Sequence, residues 1–353
     1  MRIGLLTLPF TWNYGGILQA FALKRVLTGL GHHVTVLDHR RHRSNWMEER
    51  LVTLKWKLIP ILARIDLLRR NKIIAVESFK QSVFEAMTDP IYTKQGLRNA
   101  VQSIGIEAII VGSDQVWNRA AAPRLLSYYL DFTEGQKLLR RVAYAASLSK
   151  PVWTYDSNET EACKKLLQKF DYVSVRESDA VQLIRDNLSF ECNHDVDPCL
   201  LLSKDDFLRY ATCDVGGSGF SYILDRSHYK SNLVKSLSSE LKIPFRCIDD
   251  IGIPSVENWL GRFASADFVV TDSYHGTVFS IIFNKPFFSV LNESRGSSRF
   301  VSLLSQLGLQ DRLIKEDQTI DGLEKRIAWS EVNRKWSDLR KKSSERLAAA
   351  LCD

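Results

Sequence analysis

Paired cysteines are absent from this sequence. Its six cysteines are scattered over 353 residues with no CxxC pair, at Cys163, Cys192, Cys199, Cys213, Cys247 and Cys352. This spacing excludes a disulfide framework and matches no common zinc pattern, so free thiols in a reducing compartment are predicted. His194, between two of these cysteines, is interpreted as a loop histidine. No metal site is predicted.

Long hydrophobic runs are also absent. No segment approaches the roughly 20 apolar residues that a transmembrane helix needs. The start, from Met1 to Thr7, is a short apolar run that meets Pro9 at once, which is typical of a first β-strand rather than of a signal peptide. We therefore expect a cytoplasmic protein.

Acidic residues are outnumbered by basic ones. The chain has 48 Lys and Arg against 41 Asp and Glu, which gives a net charge of +7. A basic balance favours anionic partners without choosing among them. Helix-turn-helix, RNP and zinc-finger patterns are missing, so nucleic acid is not an expected partner.

What the sequence does contain is an alternation of short β-rich runs with helical ones. Helices are predicted at Ile17–Leu30, Tyr229–Leu241 and Gly276–Phe283. Strands are predicted at Ile3–Leu8, His33–Leu37, Ala108–Val111, Val142–Ala145, Tyr172–Val175, Phe220–Leu224, Phe245–Ile248, Phe268–Thr271 and Phe287–Val290. This alternation predicts an α/β protein with parallel sheets covered by helices, in two Rossmann-like domains around an interdomain cleft.

The chain is longer than one hydrophobic core usually supports. We place an N-terminal domain at 1–200 and a C-terminal domain at 201–325. A charged helix at 326–353 is expected to pack back on the first domain.

A basic insertion at 40–75 interrupts the alternation. Between Arg40 and Lys72, Trp46, Trp56 and periodic leucines and isoleucines are interleaved with Arg and Lys. Such a helix packs its apolar face on the domain or lies in a membrane interface. Packing is favoured, and peripheral contact of 40–72 with the inner face of a membrane is left open.

Two groups of polar residues follow predicted strands, one after Ile3–Leu8 and the other after Ala108–Val111. In open parallel sheets, ligands bind at the carboxyl ends of the strands. The first group has two glycines at a helix start, which suits an anion or a hydroxyl, although a plain tight turn would look the same. The second group sets polar side chains beside a tryptophan and suits a sugar, unless Asp114 caps a helix. The two groups are Asn13, Tyr14, Gly15, Gly16 and Gln19, and Ser113, Asp114, Gln115, Trp117 and Asn118.

Three arginines follow strands of the two halves. Arg176 follows the strand Tyr172–Val175, and its planar guanidinium can donate two parallel hydrogen bonds to a carboxylate or phosphate. The alternative is a surface ion pair with Glu177 or Asp179. Arg295 and Arg299 lie in a Ser/Gly-rich loop that is either an anion clamp or a solvated basic loop.

The strongest local pattern runs from Val269 to Thr277. The apolar strand that ends at Thr271 leads into a polar loop, and His275 and Gly276 lie at the start of the next helix. A histidine there can donate a proton near neutral pH, and the helix start stabilises an anion. The alternative is a structural histidine.

Five motifs in order resemble those of the polysaccharide pyruvyl transferases. They are Asn13–Leu23, Val111–Asn118, Ser174–Glu177, Asp197–Pro198 and Thr271–Gly276. The resemblance implies a GT-B-like fold, phosphoenolpyruvate as donor and a hexose acceptor on a glycan or lipid-linked precursor of a capsule, exopolysaccharide or cell wall. The product would be a cyclic pyruvate ketal, made with no cofactor beyond this co-substrate.

The resemblance also implies residue roles. His275 would protonate the methylene carbon of phosphoenolpyruvate, and Asp114 would act as a general base or acceptor contact. The donor, on the C-terminal side, would be bound by Arg176, Arg295, Arg299, Ser273 and Gly276. The acceptor, on the N-terminal side, would be bound by Asn13, Tyr14, Gly15, Gln19, Ser113, Trp117 and Asn118. Some members have a lysine in the Arg295 loop, so the division of roles between Arg295 and Arg299 is open.

Two other functions fit the same motifs. A GT-B glycosyltransferase would use a nucleotide sugar, with the arginines around its diphosphate. A non-catalytic glycan- or lipid-binding member would keep the cleft and show no turnover. These functions are distinguished by the donor that the protein consumes, phosphoenolpyruvate or a nucleotide sugar.

Overall fold

The computed structural model describes most of the chain. The described residues are 1–10, 13–40, 74–136, 138–212, 216–248, 255–292, 295–316, 318 and 326–352. The predicted basic insertion lies almost wholly outside them, with only its ends inside. Among the described helices, none is long and apolar enough to cross a membrane.

The first half of the chain forms a six-stranded parallel sheet. Its strands are β1 (Arg2–Leu6), β2 (His33–Val36), β3 (Ala108–Gly112), β4 (Arg140–Ala146), β5 (Tyr172–Val175) and β6 (Asn193–His194), in the order β2-β1-β3-β4-β5-β6. Every residue of β3 is buried, as expected of a strand covered on both faces. The helices of this half are α1 (Tyr14–Gly29), α2 (Lys94–Ile104), α3 (Ser157–Leu167) and α4 (Ser178–Leu188).

The second half forms a five-stranded parallel sheet. Its strands are β7 (Gly219–Tyr222), β8 (Phe245–Cys247), β9 (Val269–Thr271), β10 (Phe287–Val290) and β11 (Leu313–Ile314), in the order β11-β10-β9-β7-β8. Its helices are α5 (Lys204–Leu208), α6 (His228–Leu241), α7 (Val256–Ser265), α8 (Tyr274–Ile282), α9 (Ser298–Leu307) and α10 (Trp329–Ala349). The predicted α/β architecture with two parallel sheets is confirmed.

Both sheets share one connection pattern. The second strand of each half lies on one side of the first strand, and the third strand lies on the other side. The strand order therefore reverses between β1 and β3, and again between β7 and β9. Ligands bind in open α/β sheets at the carboxyl ends of strands beside such a reversal. The fold thus points to the residues that follow these four strands.

Helix α1 is buried on all sides. Ten of its 16 residues are buried, including Leu18, Phe21 and Leu23. A helix that is apolar all round has partners on every face. The Phe21 ring packs against Phe79 and Phe207, and Tyr14 packs against Trp259 of α7, with ring centroids 5.8 Å apart. One hydrophobic cluster consequently joins the two halves.

Several boundaries differ from the sequence predictions. Helix α1 begins at Tyr14 rather than Ile17, and α8 begins at Tyr274 rather than Gly276. The Ser273 side chain caps α8, whereas Asn13, at the N-cap of α1, makes no side-chain capping bond. The first strand ends at Leu6 instead of Leu8. A side-chain cap therefore accounts for the start of α8 only.

The last helix contacts the chain segment that follows β6. Trp336 Nε1 donates a hydrogen bond of 2.7 Å to the Leu200 carbonyl, and Val196 N donates to Ser343 Oγ at 3.2 Å. Leu347, on the same helix, is fully buried in the cluster that joins the two halves. Helix α10 is thus packed against residues 196–200.

Truncating Leu347 tests this packing. Leu347→Ala should lower the free energy of unfolding by about 2–5 kcal/mol, because a buried leucine leaves a cavity. Lys341→Ala, on an exposed face of the same helix, should change it by less than about 0.5 kcal/mol. Urea unfolding followed by circular dichroism measures both. Equally small changes would show that α10 is not part of the core.

Candidate active site

A cavity of about 320 Å³ lies between the carboxyl ends of the two sheets. Residues that follow β1 and β3 line one wall, and residues that follow β7 and β9 line the other. The strand ends at both reversals of strand order therefore face the same cavity. Eight of the candidate residues named from sequence line it: Asn13, Asp114, Gln115, Asn118, Ser273, His275, Arg295 and Arg299.

The start of α8 places His275. Ser273 caps the helix, since its Oγ accepts a hydrogen bond from Gly276 N at 3.3 Å, and Thr271 Oγ1 accepts one from Ser273 N at 3.1 Å. His275 thus lies in the first helical turn, directly after β9, and is almost fully buried. The helix start favours a negative charge close to this histidine.

Gly15 allows His275 to contact the first half of the chain. A Cβ at Gly15 would lie 2.1 Å from both Cγ and Nδ1 of the imidazole. The ring therefore lies directly on the first turn of α1. The sequence predicted that Gly15 would let the backbone approach a ligand. In this conformation the space beside Gly15 is occupied by the His275 ring.

Asp197 lies beside His275. Its Oδ2 is 3.6 Å from His275 Nε2, an ion-pair distance longer than a hydrogen bond, and 2.5 Å from Arg176 Nη1. Its Oδ1 accepts a hydrogen bond from Cys199 N. Burial alone would raise the pKa of Asp197, but His275 and the charge of Arg176 outweigh it and hold this pKa well below its usual range. Asp197 is therefore ionised beside the histidine.

Arg176 is buried behind the cavity wall. Its guanidinium lies 4.6 Å from the centroid of the Tyr274 ring and 3.7 Å from Asp114. Within the described ranges, its Nε and Nη2 have no hydrogen-bond partner. The alternative of a surface ion pair is wrong in its placement: Arg176 Nε lies 4.0 Å from Glu177 Oε1, but only 1% of either side chain is exposed. Contact between Arg176 and a ligand in the cavity would require Tyr274 to move.

Arg299 is the buried cation that faces the cavity. Its Nη2 donates to the Arg295 carbonyl at 2.5 Å, and its guanidinium lies 5.3 Å from the Tyr274 centroid. Its Nε has no hydrogen-bond partner in the described part of the chain. Burial, with repulsion from Arg176, lowers the pKa of Arg299. An anion in the cavity would offset both effects.

Arg295 is paired in this conformation. Its Nε and Nη2 donate to the Asp225 carboxylate at 2.6 and 2.8 Å. These bonds are the main cause of the lowering of the pKa of Asp225 to about 2. The Arg295 side chain is half-exposed, so the loop is neither a buried clamp nor fully solvated.

Lys150 brings a cation to the cavity from the first half. The preceding residue, Ser149, donates from Oγ to the Arg295 carbonyl at 3.2 Å. Gly296 has φ 95, and a Cβ there would lie 2.1 Å from the Ser149 carbonyl oxygen. The two loops are therefore packed backbone against backbone. Among the described residues, Lys150 has no ion-pair partner.

Asp114 does not cap a helix. It has φ 59, and its carbonyl accepts hydrogen bonds from Val116 N and Ser147 N. Residues 115–124 form turns and no helix, so the capping alternative is wrong. The carboxylate is left at the cavity wall, near Asn13 and Asn118.

Four of the residues predicted to bind the acceptor are buried behind the wall. Gln19 donates to Thr7 Oγ1 and accepts from Ser113 N, both at 3.0 Å. Trp117 is fully buried, donates to the Tyr128 carbonyl and stacks on Tyr129. The fourth residue, Tyr14, packs on Trp259. All four support the segments that carry Asn13 and Asp114.

Sequence reasoning did not assign Asp197, Tyr274 or Lys150 to the site. Asp197 and Tyr274 lie inside two of the recognised motifs, so their position was a usable signal. Lys150 is one of many lysines, and no local pattern distinguishes it.

One group among the described residues has metal-ligand types close together. Single ligand atoms of Asp197, Cys199 and His275 lie within 4.8 Å of one another. Arg176 already occupies Asp197 Oδ2 and would repel a cation. We interpret the group as the surroundings of the buried Arg176–Asp197 ion pair.

A family model for polysaccharide pyruvyl transferase matches residues 13–294. No curated protein sequence matched the chain. Two similar solved structures are a protein titled as a UDP-N-acetylglucosamine 2-epimerase from Listeria monocytogenes and the Arabidopsis thaliana UGT89C1 complexed with UDP-L-rhamnose. The first is 9% identical with a TM-score of 0.52 and covers 99% of this chain and 90% of its own. The second is 9% identical with a TM-score of 0.53 and covers 99% of both chains. These likenesses support a two-domain, Rossmann-like GT-B fold.

Removing one partner of the buried ion pair should destabilise the fold. Asp197→Asn should cost up to about 3–5 kcal/mol at pH 7, because Arg176 loses its shortest charge contact and keeps only Asp114 at 3.7 Å and Glu177 at 4.0 Å. The pKa of Asp197 is depressed, so its contribution is fully present above the unfolded value of about 3.9 and is lost progressively as the pH falls from there toward the lower folded pKa. The difference from the wild type should therefore stay constant from about pH 7 to pH 5 and begin to shrink between about pH 5 and pH 3.

Urea unfolding over this pH range measures the effect. The double variant Arg176→Met/Asp197→Leu is the control, since it removes both charges and should cost less than the two single changes added together. A difference independent of pH would contradict an ionised Asp197.

Proposed function

This chain belongs to the polysaccharide pyruvyl transferase family, and we propose that it transfers the pyruvyl group of phosphoenolpyruvate to two hydroxyls of a hexose. The products are a cyclic pyruvate ketal and phosphate. The observation that carries the proposal is a buried histidine in one cavity with Lys150, Arg295 and Arg299. Phosphoenolpyruvate carries a carboxylate and a phosphate and must be protonated on carbon, which an acid among cations suits.

The reaction balances without a redox step. His275 donates a proton to the methylene carbon, which becomes a methyl group and leaves C2 cationic. A sugar hydroxyl oxygen bonds to C2, and its proton restores the acid. The bond from C2 to the phosphate oxygen breaks, and a second hydroxyl of the same sugar closes the ketal. The proton of that hydroxyl leaves with phosphate.

Asp197 and Asp114 take different roles in this proposal. Asp197 is buried, ionised and 3.6 Å from His275 Nε2, so its charge stabilises a positive charge on the ring. Asp114 lies at the cavity wall and accepts a hydrogen bond or a proton from the acceptor hydroxyls.

The donor is bound mainly by Arg299 and Lys150. Arg299 has a free Nε in the described conformation, and Lys150 has no ion-pair partner among the described residues. Arg295 joins them when it leaves Asp225, and Ser273 and Gly276 supply the helix start. Arg176, predicted from sequence to hold the donor, acts here through Asp197 and Tyr274.

The acceptor is a hexose of a lipid-linked glycan precursor in this proposal. Such a substrate places the enzyme at the inner face of a membrane. The basic residues and tryptophans between Arg40 and Lys72 support peripheral contact there.

Phosphate release from phosphoenolpyruvate tests the proposal. The purified chain is incubated with lipid-linked and free galactose, mannose and glucose acceptors, and products are weighed by mass spectrometry. Acceptor-dependent release with a ketal-sized mass gain is expected. Turnover of a nucleotide sugar instead would identify a glycosyltransferase, and binding without any turnover would identify a glycan-binding protein.

His275→Gln should abolish acid catalysis. The amide keeps much of the shape of the ring but cannot donate a proton to carbon, so kcat should fall by about 10²–10⁴-fold. Phosphoenolpyruvate affinity, measured by calorimetry, should change little. A folded variant with unchanged kcat would remove His275 as the acid.

Arg299→Gln should weaken donor binding by about 10–100-fold, because charge-assisted hydrogen bonds to the donor contribute about 1.5–3 kcal/mol. Lys150→Gln should weaken it less, since this cation is exposed. Lys165→Gln, an exposed lysine away from the cavity, is the control. Calorimetric titration of phosphoenolpyruvate measures all three, and equal affinities in every variant would place the donor elsewhere.

A further inference from the structure

We propose that the acceptor sugar binds in a second cavity, at the strand-order reversal of the first sheet, with its hydroxyl pair facing Asp114. This inference rests on the proposed pyruvyl transfer. The cavity measures about 510 Å³ and lies between the segments that follow β1, β2 and β3. Its volume is within the ~300–1,000 Å³ of small-molecule sites.

The two cavities share a wall. Asn13 and Asp114 line both of them. Two backbone hydrogen bonds to its carbonyl fix Asp114 at this position. A molecule in the second cavity therefore meets the same carboxylate as a donor in the first.

The charges of the two cavities are complementary to different ligands. The first contains His275, Lys150 and Arg299. In the described lining of the second, Arg40 is the cation, and the Asp38 carboxylate neutralises it through bonds of 2.6 to 3.0 Å. Asp114 lies 3.7 Å from the Arg176 guanidinium, which offsets its charge. Among the described residues, the second cavity therefore has no unpaired cation for a phosphate, and an uncharged sugar fits it better.

The remaining lining suits a pyranose. Leu8, Pro9, Phe10 and Pro123 form an apolar wall, and the Phe10 ring is held in place by stacking on Phe84 with centroids 5.1 Å apart. A sugar ring presents an apolar face to such a wall and hydroxyls to carboxylates and amides. With its ring on this wall, the sugar is positioned to turn one edge of hydroxyls to Asn13 and Asp114.

Ketal formation requires two hydroxyls of one sugar to reach the same carbon. A sugar in the second cavity and phosphoenolpyruvate in the first would meet across Asp114. The second cavity therefore determines which hydroxyl pair reacts, while the first recognises the donor.

Filling the second cavity tests the inference. Ala121 lines it, so Ala121→Trp should lower kcat/KM for the acceptor by about tenfold or more, because the sugar loses room and contacts. The dissociation constant of phosphoenolpyruvate should not change. Arg119→Trp adds the same side chain two residues away, outside the lining, and should keep wild-type values. Phe10→Leu, a milder change, should raise the acceptor KM alone.

Binding is measured separately by saturation-transfer NMR with methyl β-galactoside, methyl α-mannoside and methyl β-glucoside. Signals lost in Ala121→Trp and kept in Arg119→Trp support the site, even if the wild type consumes no phosphoenolpyruvate, in which case pyruvyl transfer alone fails. Unchanged acceptor kinetics and unchanged sugar signals in both Ala121→Trp and Phe10→Leu overturn the inference and leave pyruvyl transfer standing.

Discussion

The buried pair of Arg176 and Asp197 determines the arrangement of the cavity wall. A guanidinium and a carboxylate without solvent are costly unless each is compensated, so neighbouring groups are constrained to face them. Asp114 and Tyr274 surround the guanidinium, and His275 faces the carboxylate. His275, Tyr274 and Asp114 therefore all border the same buried ion pair. A change at any of them alters the cost of burying the others.

Separation of charge divides the site into two regions. Cations gather where the loop that carries Lys150 packs on the loop that carries Arg295, and this meeting depends on a glycine with positive φ. On the other side of Asp114, Arg40 is neutralised by Asp38. In the proposed reaction, a charged donor and an uncharged acceptor would therefore bind next to each other without competing for the same groups.

The sequence predicted the parts of this site that local pattern determines. Strand ends and helix starts located Asn13, Asp114 and His275, because a parallel sheet collects such positions at one edge. It did not predict that Trp117 is buried, since its indole partner is a carbonyl from a later segment. Nor did it predict Lys150, whose place depends on a loop of the other half. Contacts between distant segments leave no periodic signal.

Helix α1 belongs to both halves at once. Its N-terminal turn supports His275, and its aromatic side chains pack on α7 and on residues that precede the second sheet. The helix lies in the first half of the sequence, and these partners lie in the second half. Exchange of the second half between relatives by recombination near residue 200 would pair α1 with a surface that it does not fit. A substitution on one side of this contact therefore constrains the substitutions that the other side can accept.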